Sequence, residues 1–420
     1  MLPAMIEARL KRKDNVMRTE SGTNLLATLL IGLMLEGNAI AADWPNFRGP
    51  TFDCKAPDTG INKDWKNKPP KQLWRVDMAD NGFAGPCVVG GKLFINDYGN
   101  GVDFVRAIDV KTGKEIWQSD KLRGNAYASA GHSNSTPTYD DKRLYVLSRE
   151  GQLLCSDAEK GTKIWMRDIK ADFKGQAAWG YNASPVMDGK NVIVCPGGPD
   201  TGVVALNKET GADAWKGGGS DVTDCSTPTL AVLGGKKLLL VFASKALIGV
   251  NPDDGKIQWQ AASKVVTTHI PSPAIAGGNV FASAGYGTPC VMLAPDGKVL
   301  WENKDMMPHM NTPVYDQGYL YGTSGQGESP GELVCLDAKT GAAAWKQTGF
   351  EAGGVVAVDG VLLAVVGKTG EVAMVKLNPK VYEELGRFTP VGGRSWTPPV
   401  IADGKLFIRN EKVLACFDLK

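Results

Sequence analysis

One motif that ends in tryptophan recurs along this chain about every forty to fifty residues. Its clearest copy runs from Val105 to Trp117 and reads V-R-A-I-D-V-K-T-G-K-E-I-W. Related copies end at six further tryptophans: Trp74, Trp165, Trp215, Trp259, Trp301 and Trp345. Seven of the eleven tryptophans therefore occupy one position of a repeat. A motif repeated at such a period predicts structural units that share one continuous core.

Each copy predicts a β-hairpin. An apolar strand such as 203–206 reaches a turn at 208–211, where the glycine can adopt a positive φ. A second hairpin lies upstream; it opens with Ser-Pro or Thr-Pro and turns at a glycine, as in 184–190 and 397–405. Two hairpins make four strands, which is the content of a propeller blade. The sequence therefore predicts an all-β propeller.

The two chain ends predict the number of blades. Residues 72–76 read as the last strand of a unit, whereas 398–419 contain only the earlier strands of one. Pairing them would complete a blade and close the ring, which removes the exposed sheet edges. A stretched copy over 372–388 places Phe388 in the tryptophan position. Seven internal units plus the composite one predict an eight-bladed β-propeller with four-stranded blades over residues 72–420.

Two segments precede the predicted propeller. Residues 1–41 combine a basic stretch, a short apolar run at 25–35 and an A-x-A site at 39–41, the pattern of a Sec-type signal peptide. The apolar run is too short to span a bilayer, so we expect an exported protein, periplasmic or secreted, with no transmembrane anchor. Residues 42–71 are rich in Pro, Gly and aromatic residues, which predicts an irregular arm laid on the propeller.

Charge and cysteine content exclude some functions. The formal net charge of +2 gives no reason to expect nucleic-acid binding. The eight cysteines form no C-x-x-C and no haem-binding C-x-x-C-H motif. Cys155, Cys335 and Cys416 share one repeat position, where we expect small buried core residues. The other five are free to form disulfides in an exported protein, and the sequence does not specify a pairing: Cys54, Cys87, Cys195, Cys225 and Cys290.

The recurring Ala/Cys-x-Asp-x-x-Thr-Gly-x-x-x-Trp pattern resembles the PQQ-like propeller repeat, whose family includes quinoprotein alcohol dehydrogenases and the outer-membrane assembly scaffold BamB. The opening D-W-P-N-F-R-G-P at 43–50 resembles that of secreted bacterial PQQ-like proteins. The resemblance covers residues 43–420. It implies either a binding or scaffold module with a protein, peptide or glycan partner in the cell envelope, or a PQQ-dependent oxidoreductase. The fold alone does not decide between them.

Candidate ligand-binding residues precede the innermost strands. The only three histidines, His132, His269 and His309, each stand four or five residues before the proline that opens a first hairpin. Further polar and aromatic residues lie near the same repeat position: Trp179, Tyr181, Asp224, Arg394 and Trp396. In a propeller these segments ring one mouth of the central channel, a default ligand site. The residues either form a ligand pocket there, with or without a metal ion, or satisfy exposed backbone groups.

The oxidoreductase alternative makes specific demands. It requires PQQ with calcium, an acidic base and, in the dehydrogenases, an adjacent cysteine pair, which this sequence lacks. Asp224 and Asn182 are the residues that could serve as acid and oxygen ligand. We therefore expect a monomeric, non-catalytic binding module with no resident cofactor and no catalytic residue. The alternative is a PQQ-dependent oxidoreductase with calcium, or another ligand-binding propeller with its site at the channel mouth.

Overall fold

Eight four-stranded antiparallel sheets, the blades, make up most of the described chain. The computed structural model describes residues 42–79, 81–125, 131–221, 225–263 and 269–420. The predicted signal peptide at 1–41 lies outside these ranges. The first strands of successive blades lie against one another, so they surround the central channel and each fourth strand lies at the rim.

Blades I to IV follow one another in chain order, and each is given from its innermost strand outward. The strands of blade I are Cys87–Val89, Lys92–Gly99, Val102–Asp109 and Glu115–Gln118, with a short fifth strand, Leu122–Arg123, against the third. Those of blade II are Thr138–Asp140, Arg143–Leu147, Gln152–Asp157 and Lys163–Asp168, followed by one helical turn, Ile169–Asp172. Those of blade III are Val186–Asp188, Asn191–Val194, Val203–Asn207 and Asp213–Gly217. Those of blade IV are Thr229–Leu233, Lys236–Phe242, Ala246–Val250 and Ile257–Ala262.

Blades V to VIII complete the ring. The strands of blade V are Ala274–Ala276, Asn279–Ala282, Cys290–Leu293 and Val299–Asn303. Those of blade VI are Val314–Asp316, Tyr319–Ser324, Glu332–Asp337 and Ala343–Thr348. Those of blade VII are Val355–Val358, Val361–Val365, Val372–Lys376 and Glu384–Phe388, with Lys55–Ala56 added to the first strand. Blade VIII joins Val400–Ala402, Lys405–Arg409 and Val413–Asp418 to Lys71–Asp77. The predicted eight-bladed propeller, closed by pairing of the N- and C-terminal strands, is confirmed.

The repeat motif holds neighbouring blades together. In blade I the Asp109 carboxylate accepts hydrogen bonds from the backbone N–H and the hydroxyl of Thr112, each at 2.7 Å. The turn then places Gly113 at φ +71° beneath the Trp74 ring of the preceding blade, where a Cβ would lie 2.7 Å from Trp74 Cγ. The Trp74 indole N–H donates to the Val110 carbonyl at 2.7 Å. The aspartate, glycine and tryptophan of the motif thus build one contact between blades.

The same contact recurs around the ring. The indole N–H donates to a backbone carbonyl of the next blade in four further pairs: Trp165 to Lys208, Trp215 to Pro252, Trp301 to Ala338 and Trp345 to Asn378. Most of these tryptophans face a small residue on the third strand of their own blade, whereas Trp301 faces Met292. Cys155, Cys335 and Cys416 fill this position opposite their tryptophans and are fully buried. None of the cysteines forms a disulfide within the described residues.

Blade VII departs from the repeat, and the prediction that Phe388 occupies its tryptophan position is wrong. The residue opposite Met374, next to the β-bulge, is Gly386, whereas Phe388 pairs with Val372. The turn before this strand is longer than in the other blades. The spacing along the sequence therefore does not locate the tryptophan position of this blade. Trp65 of the arm covers Gly386, is 2% exposed and lies edge-on to Phe388 at 5.1 Å. The arm thus provides the tryptophan that blade VII lacks.

The first part of the arm lies inside the central channel. Trp44 exchanges backbone hydrogen bonds with Val88 of the first strand of blade I, at 2.7 and 2.8 Å. The Arg48 guanidinium, 3% exposed, donates to Thr229 Oγ1 at 3.1 Å and to the Pro273 carbonyl at 3.0 Å, in blades IV and V.

The chain then returns along blade VII. Residues 55 and 56 pair in parallel with the channel side of its first strand. Asp58 accepts a hydrogen bond at 2.6 Å from Gly404 N–H in the first turn of blade VIII. Residues 43–58 therefore run up the channel and back down, and we call them the plug.

We expect Trp65→Ala to destabilise the ring strongly, because it empties a buried site shared by blades VII and VIII. Large-to-small substitution of a buried tryptophan costs about 3–5 kcal/mol in the free energy of unfolding. Urea unfolding would measure the loss. Trp179→Ala is the matched control, since Trp179 is 42% exposed and should lose less than about 1 kcal/mol. Equal losses in the two variants would contradict the role given to Trp65.

Candidate functional site

A cavity of about 310 Å³ opens where the lead-in segments meet, each segment joining the fourth strand of one blade to the first strand of the next. Its walls carry five aromatic side chains, three other apolar ones and six polar ones. The lining residues are Phe47, Phe83, Asn134, Arg149, Trp179, Asn182, Cys225, Thr227, Ile270, Tyr286, His309, Met310, Trp396 and Pro398. Phe47 belongs to the plug, so the plug bounds the cavity on its channel side.

The Ser/Thr-Pro motifs fix the lead-in segments to one another. Gly85 N–H donates to Thr136 Oγ1 at 3.0 Å, and Thr136 N–H donates to Ser184 Oγ at 3.0 Å. Ser184 N–H donates in turn to Thr227 Oγ1 at 2.9 Å. The same bond links Ser272 N–H to Thr312 Oγ1 at 2.8 Å. The hydroxyl before each of these prolines therefore joins adjacent blades at the mouth. The sequence showed the motif but not its partner in the next blade.

His309 is the histidine that lines the cavity. Its side chain is 5% exposed and meets the Tyr286 ring edge-on at 4.8 Å. Burial lowers the pKa of His309 to about 4, so the ring is neutral near pH 7. Nδ1 accepts a hydrogen bond from Gly327 N–H at 2.9 Å, which places the ring proton on Nε2.

The other two histidines lie apart from the cavity lining. The His132 ring stacks on Tyr98, with centroids 4.2 Å apart. His269 is 1% exposed; its Nε2 lies 2.9 Å from Ser263 Oγ and its ring meets Phe242 edge-on at 4.2 Å. Burial lowers the pKa of His269 to about 4. The structure thus brings one of the three predicted histidines to the cavity.

The remaining predicted site residues lie in the cavity wall, beside the cavity or in the protein interior. Trp179 and Trp396 line the cavity. Tyr181 is buried between blades II and III, and its hydroxyl donates to the Pro196 carbonyl at 3.1 Å. Arg394 lies beside the cavity lining, with its guanidinium 4.6 Å from the Trp396 ring centroid and paired with Glu411. Asp224 lies outside the described residues.

Arg149 and Asn182 are wall residues that sequence reasoning did not place together. The Arg149 guanidinium, 1% exposed, donates to the His132 carbonyl at 3.2 Å and to Asn182 Oδ1. Behind it, the buried Asp103 carboxylate accepts from Arg149 N–H at 2.7 Å and from Ser133 Oγ at 2.6 Å. Burial outweighs these hydrogen bonds and raises the pKa of Asp103 to about 6.

The described part of the cavity does not fit a calcium-bound quinone. Calcium takes six to eight oxygen ligands, several of them carboxylates. No carboxylate is among the described residues that line the cavity, and the same ranges hold no group of three His, Cys, Asp or Glu side chains placed to bind a metal. Asn182 Oδ1 already accepts from Arg149 and from Asn134 Nδ2, the latter at 2.9 Å.

These features define an eight-bladed propeller of PQQ-like repeats with a small aromatic cavity at one mouth of a plugged channel. A family model described as outer membrane protein assembly factor BamB matches residues 102–347. This match covers more than half of the chain, so the chain belongs to that family.

Individual relatives include BamB proteins and a quinohemoprotein alcohol dehydrogenase. BamB of Yersinia pestis is 24% identical over 58% of this chain, and BamB of Moranella endobia is 24% identical over 66%. A quinohemoprotein alcohol dehydrogenase, ADH-IIG of Pseudomonas putida, is 29% identical over 34% of the chain. The chain spans 61% of the Yersinia protein, 72% of the Moranella protein and 20% of the dehydrogenase.

Solved structures show the same fold. The quinohemoprotein alcohol dehydrogenase of Comamonas testosteroni matches 90% of this chain and 80% of its own, with a TM-score of 0.69 and 14% identity. BamB of Moraxella catarrhalis matches 83% of this chain and 99% of its own, with a TM-score of 0.63 and 14% identity. Among the described residues, no helix has the length and apolar character to cross a membrane.

We expect Asp103 to make the protein less stable as pH rises from about 4 to about 6. Its pKa of about 6 in the folded chain exceeds its ordinary value of 3.8, so the folded state binds more protons in this window and loses stability through it. A difference of two pKa units corresponds to about 3 kcal/mol. Asp103→Asn cannot ionise, so the wild type should lose about that much relative to the variant in urea unfolding across the window. Parallel pH profiles would contradict this role for Asp103.

Proposed function

We propose that this protein is an exported, non-catalytic binding module of the cell envelope, and that its aromatic cavity receives an apolar side chain of a protein partner. The composition of the cavity carries the proposal. Five aromatic side chains converge with Ile270, Met310 and Pro398 on one concave site, and the described residues that line it include no carboxylate. Exposed aromatic pockets of this kind anchor partner side chains.

The relatives support a protein as the partner. Two BamB proteins, named as outer membrane protein assembly factors, align with well over half of the chain. The basic and apolar leader with its A-x-A site supports export to the compartment where such assembly takes place.

The plug favours side-chain capture over passage through the ring. Phe47 bounds the cavity on its channel side, and the plug below it is tied to the first strands of several blades. The cavity volume of about 310 Å³ lies at the small end of the range for ligand pockets, roughly 300–1,000 Å³. A site of this size takes one or two side chains rather than a long segment.

Site-specific photocrosslinking would test the proposal. A benzophenone amino acid in place of Trp179, at the cavity, should yield a discrete protein adduct in intact cells. The control position is Val381, which is 53% exposed in the turn between the third and fourth strands of blade VII and lies far from the cavity lining. The adduct at 179 should disappear when Ile270→Trp fills the cavity. Equal adducts at both positions, or an adduct that survives filling, would overturn the proposal.

We further expect PQQ with calcium to leave the protein unchanged. A ligand specific for the folded state raises the melting temperature in proportion to its binding free energy, whereas this cavity lacks calcium ligands among its described residues. Melting curves with and without PQQ and calcium should therefore coincide, and no quinone-dependent dye reduction should follow addition of alcohols. A clear rise in melting temperature together with dye reduction would favour the oxidoreductase alternative.

A further inference from the structure

A basic stretch leads into the outermost strand of blade VIII and continues along it. Residues 66–75 read K-N-K-P-P-K-Q-L-W-R and contain four basic side chains and no acidic one. Lys66 and Lys68 lie in the last part of the arm, whereas Lys71 and Arg75 belong to the strand. All four residues are exposed. Because this strand is the fourth of its blade, the basic stretch lies on the outside of the ring.

The outermost strands of the other blades neutralise their basic side chains. Each lysine or arginine that such a strand carries lies within 4.0 Å of a carboxylate. These residues are Lys163, Arg167, Lys216, Lys346 and Arg387. Among the described residues, no carboxylate lies within this distance of Lys66, Lys68, Lys71 or Arg75. Blade VIII therefore differs from the other blades in the charge that it presents outward.

The carboxylates around the basic stretch are engaged elsewhere. The Asp64 carboxylate accepts from a neighbouring asparagine amide at 2.9 and 3.1 Å. Asp418 lies across the strand pair from Lys71 and accepts from a backbone N–H at 3.0 Å. The Glu384 carboxylate pairs with an arginine of its own strand at 2.8 Å. Asp77 is the acidic residue of the strand and stands at its far end. The positive charge of the basic stretch is therefore left without a bound counter-charge.

One apolar side chain stands among these charges. Leu73 is 41% exposed and lies between Lys71 and Arg75 on the strand. It occupies a β-bulge, where the register shifts between Gln72 and Trp74. Trp74 itself is buried against the glycine turn of blade I, so the leucine is the apolar residue that the bulge presents outward. Basic residues around an exposed apolar one suit a surface that has anionic headgroups above an apolar layer.

We propose that the basic stretch binds the surface of a membrane that contains anionic lipids. Lys66, Lys68, Lys71 and Arg75 contact the lipid phosphates, and Leu73 enters the interface. Clusters of about four to eight basic residues bind anionic membranes, each residue contributing roughly fivefold in affinity. Three of the four cations are lysines, which act as mobile point charges and do not need the fixed bidentate geometry of a protein carboxylate partner.

This contact adds to the function proposed above and does not depend on it. The residues of the basic stretch are not among those that line the aromatic cavity. A propeller held to a membrane by its rim would keep its channel mouth accessible to a protein partner.

Cosedimentation with lipid vesicles tests the proposal. The protein is recovered from the cell envelope, and the vesicles consist either of phosphatidylcholine alone or of phosphatidylcholine and phosphatidylglycerol in equal amounts. We expect binding to the anionic vesicles and not to the neutral ones. This binding should fall steeply as salt rises from about 0.1 M to about 1 M, because the Debye length shortens from about 10 Å to about 3 Å.

A charge variant and a matched control separate the basic stretch from net charge. Lys66→Gln, Lys68→Gln, Lys71→Gln and Arg75→Gln together should weaken binding to anionic vesicles at least about a hundredfold. The control changes the net charge equally by glutamine substitution of four exposed lysines on four other blades, and it should keep most of the affinity. These lysines are Lys160, Lys236, Lys339 and Lys368.

A second pair of variants tests the apolar contact. Leu73→Ser should weaken binding several-fold, because the side chain no longer enters the interface. Ile116→Ser is the matched control, since Ile116 is 45% exposed at the same repeat position of blade I and lies outside the basic stretch. Thermal melting confirms that each variant is folded.

The remaining outcomes would overturn the proposal. These are equal binding to neutral and anionic vesicles, no binding of folded protein to either, or equal losses in the charge variant and its control. Poly-L-glutamate serves as a further probe. If the basic stretch binds poly-L-glutamate and not vesicles, the rim recognises an acidic protein and the membrane proposal is wrong. The crosslinking result at position 179 decides the function of the cavity separately.

Discussion

The contact between the tryptophan of one blade and the glycine turn of the next determines the architecture. A single blade buries too little apolar surface to be stable alone, so each depends on its neighbours. The turn aspartate holds the loop, the glycine lets the chain pass beneath the indole, and the indole N–H bonds the loop carbonyl. Seven of the eight blades supply the tryptophan of this contact, so it links blade to blade around most of the ring.

The arm completes the packing near the ring closure, where the repeat motif is incomplete. Blade VII has Gly386 where the other blades have tryptophan, and the fourth-strand turn of blade VIII is interrupted by the chain ends. Trp65 covers the glycine, and Asn62 N–H bonds the Leu419 carbonyl at 2.6 Å beside the last strand. One segment therefore compensates for two irregularities at the same boundary. The same arm then determines the depth of the cavity through Phe47, so stability of the ring and shape of the site depend on one element.

The sequence predicted the fold well because the repeat records local geometry. The spacing of Asp109, Gly113 and Trp117 reflects a turn and a strand, which short-range patterns encode. The site was harder to predict. His309, Trp179 and Trp396 were identified from their position before the first strands, but the same rule selected Tyr181, which is buried between blades, and His132 and His269, which lie apart from the cavity. Side-chain direction in irregular segments depends on contacts between blades, which one sequence does not record. The path of the plug, residues 43–58, was not predicted for the same reason.

The plug also has a consequence for the order in which the chain can fold. Its hydrogen bonds join residues separated by long stretches of sequence, such as Lys55 with Asp316 and Asp58 with Gly404. These partners lie in blades that are made last, although the plug is near the start of the chain. Contacts between such distant residues form slowly, because loop closure costs entropy before any contact repays it. The segment synthesised among the first is thus among the last to gain its native structure, and the cavity that it bounds becomes complete only when the C-terminal blade is in place.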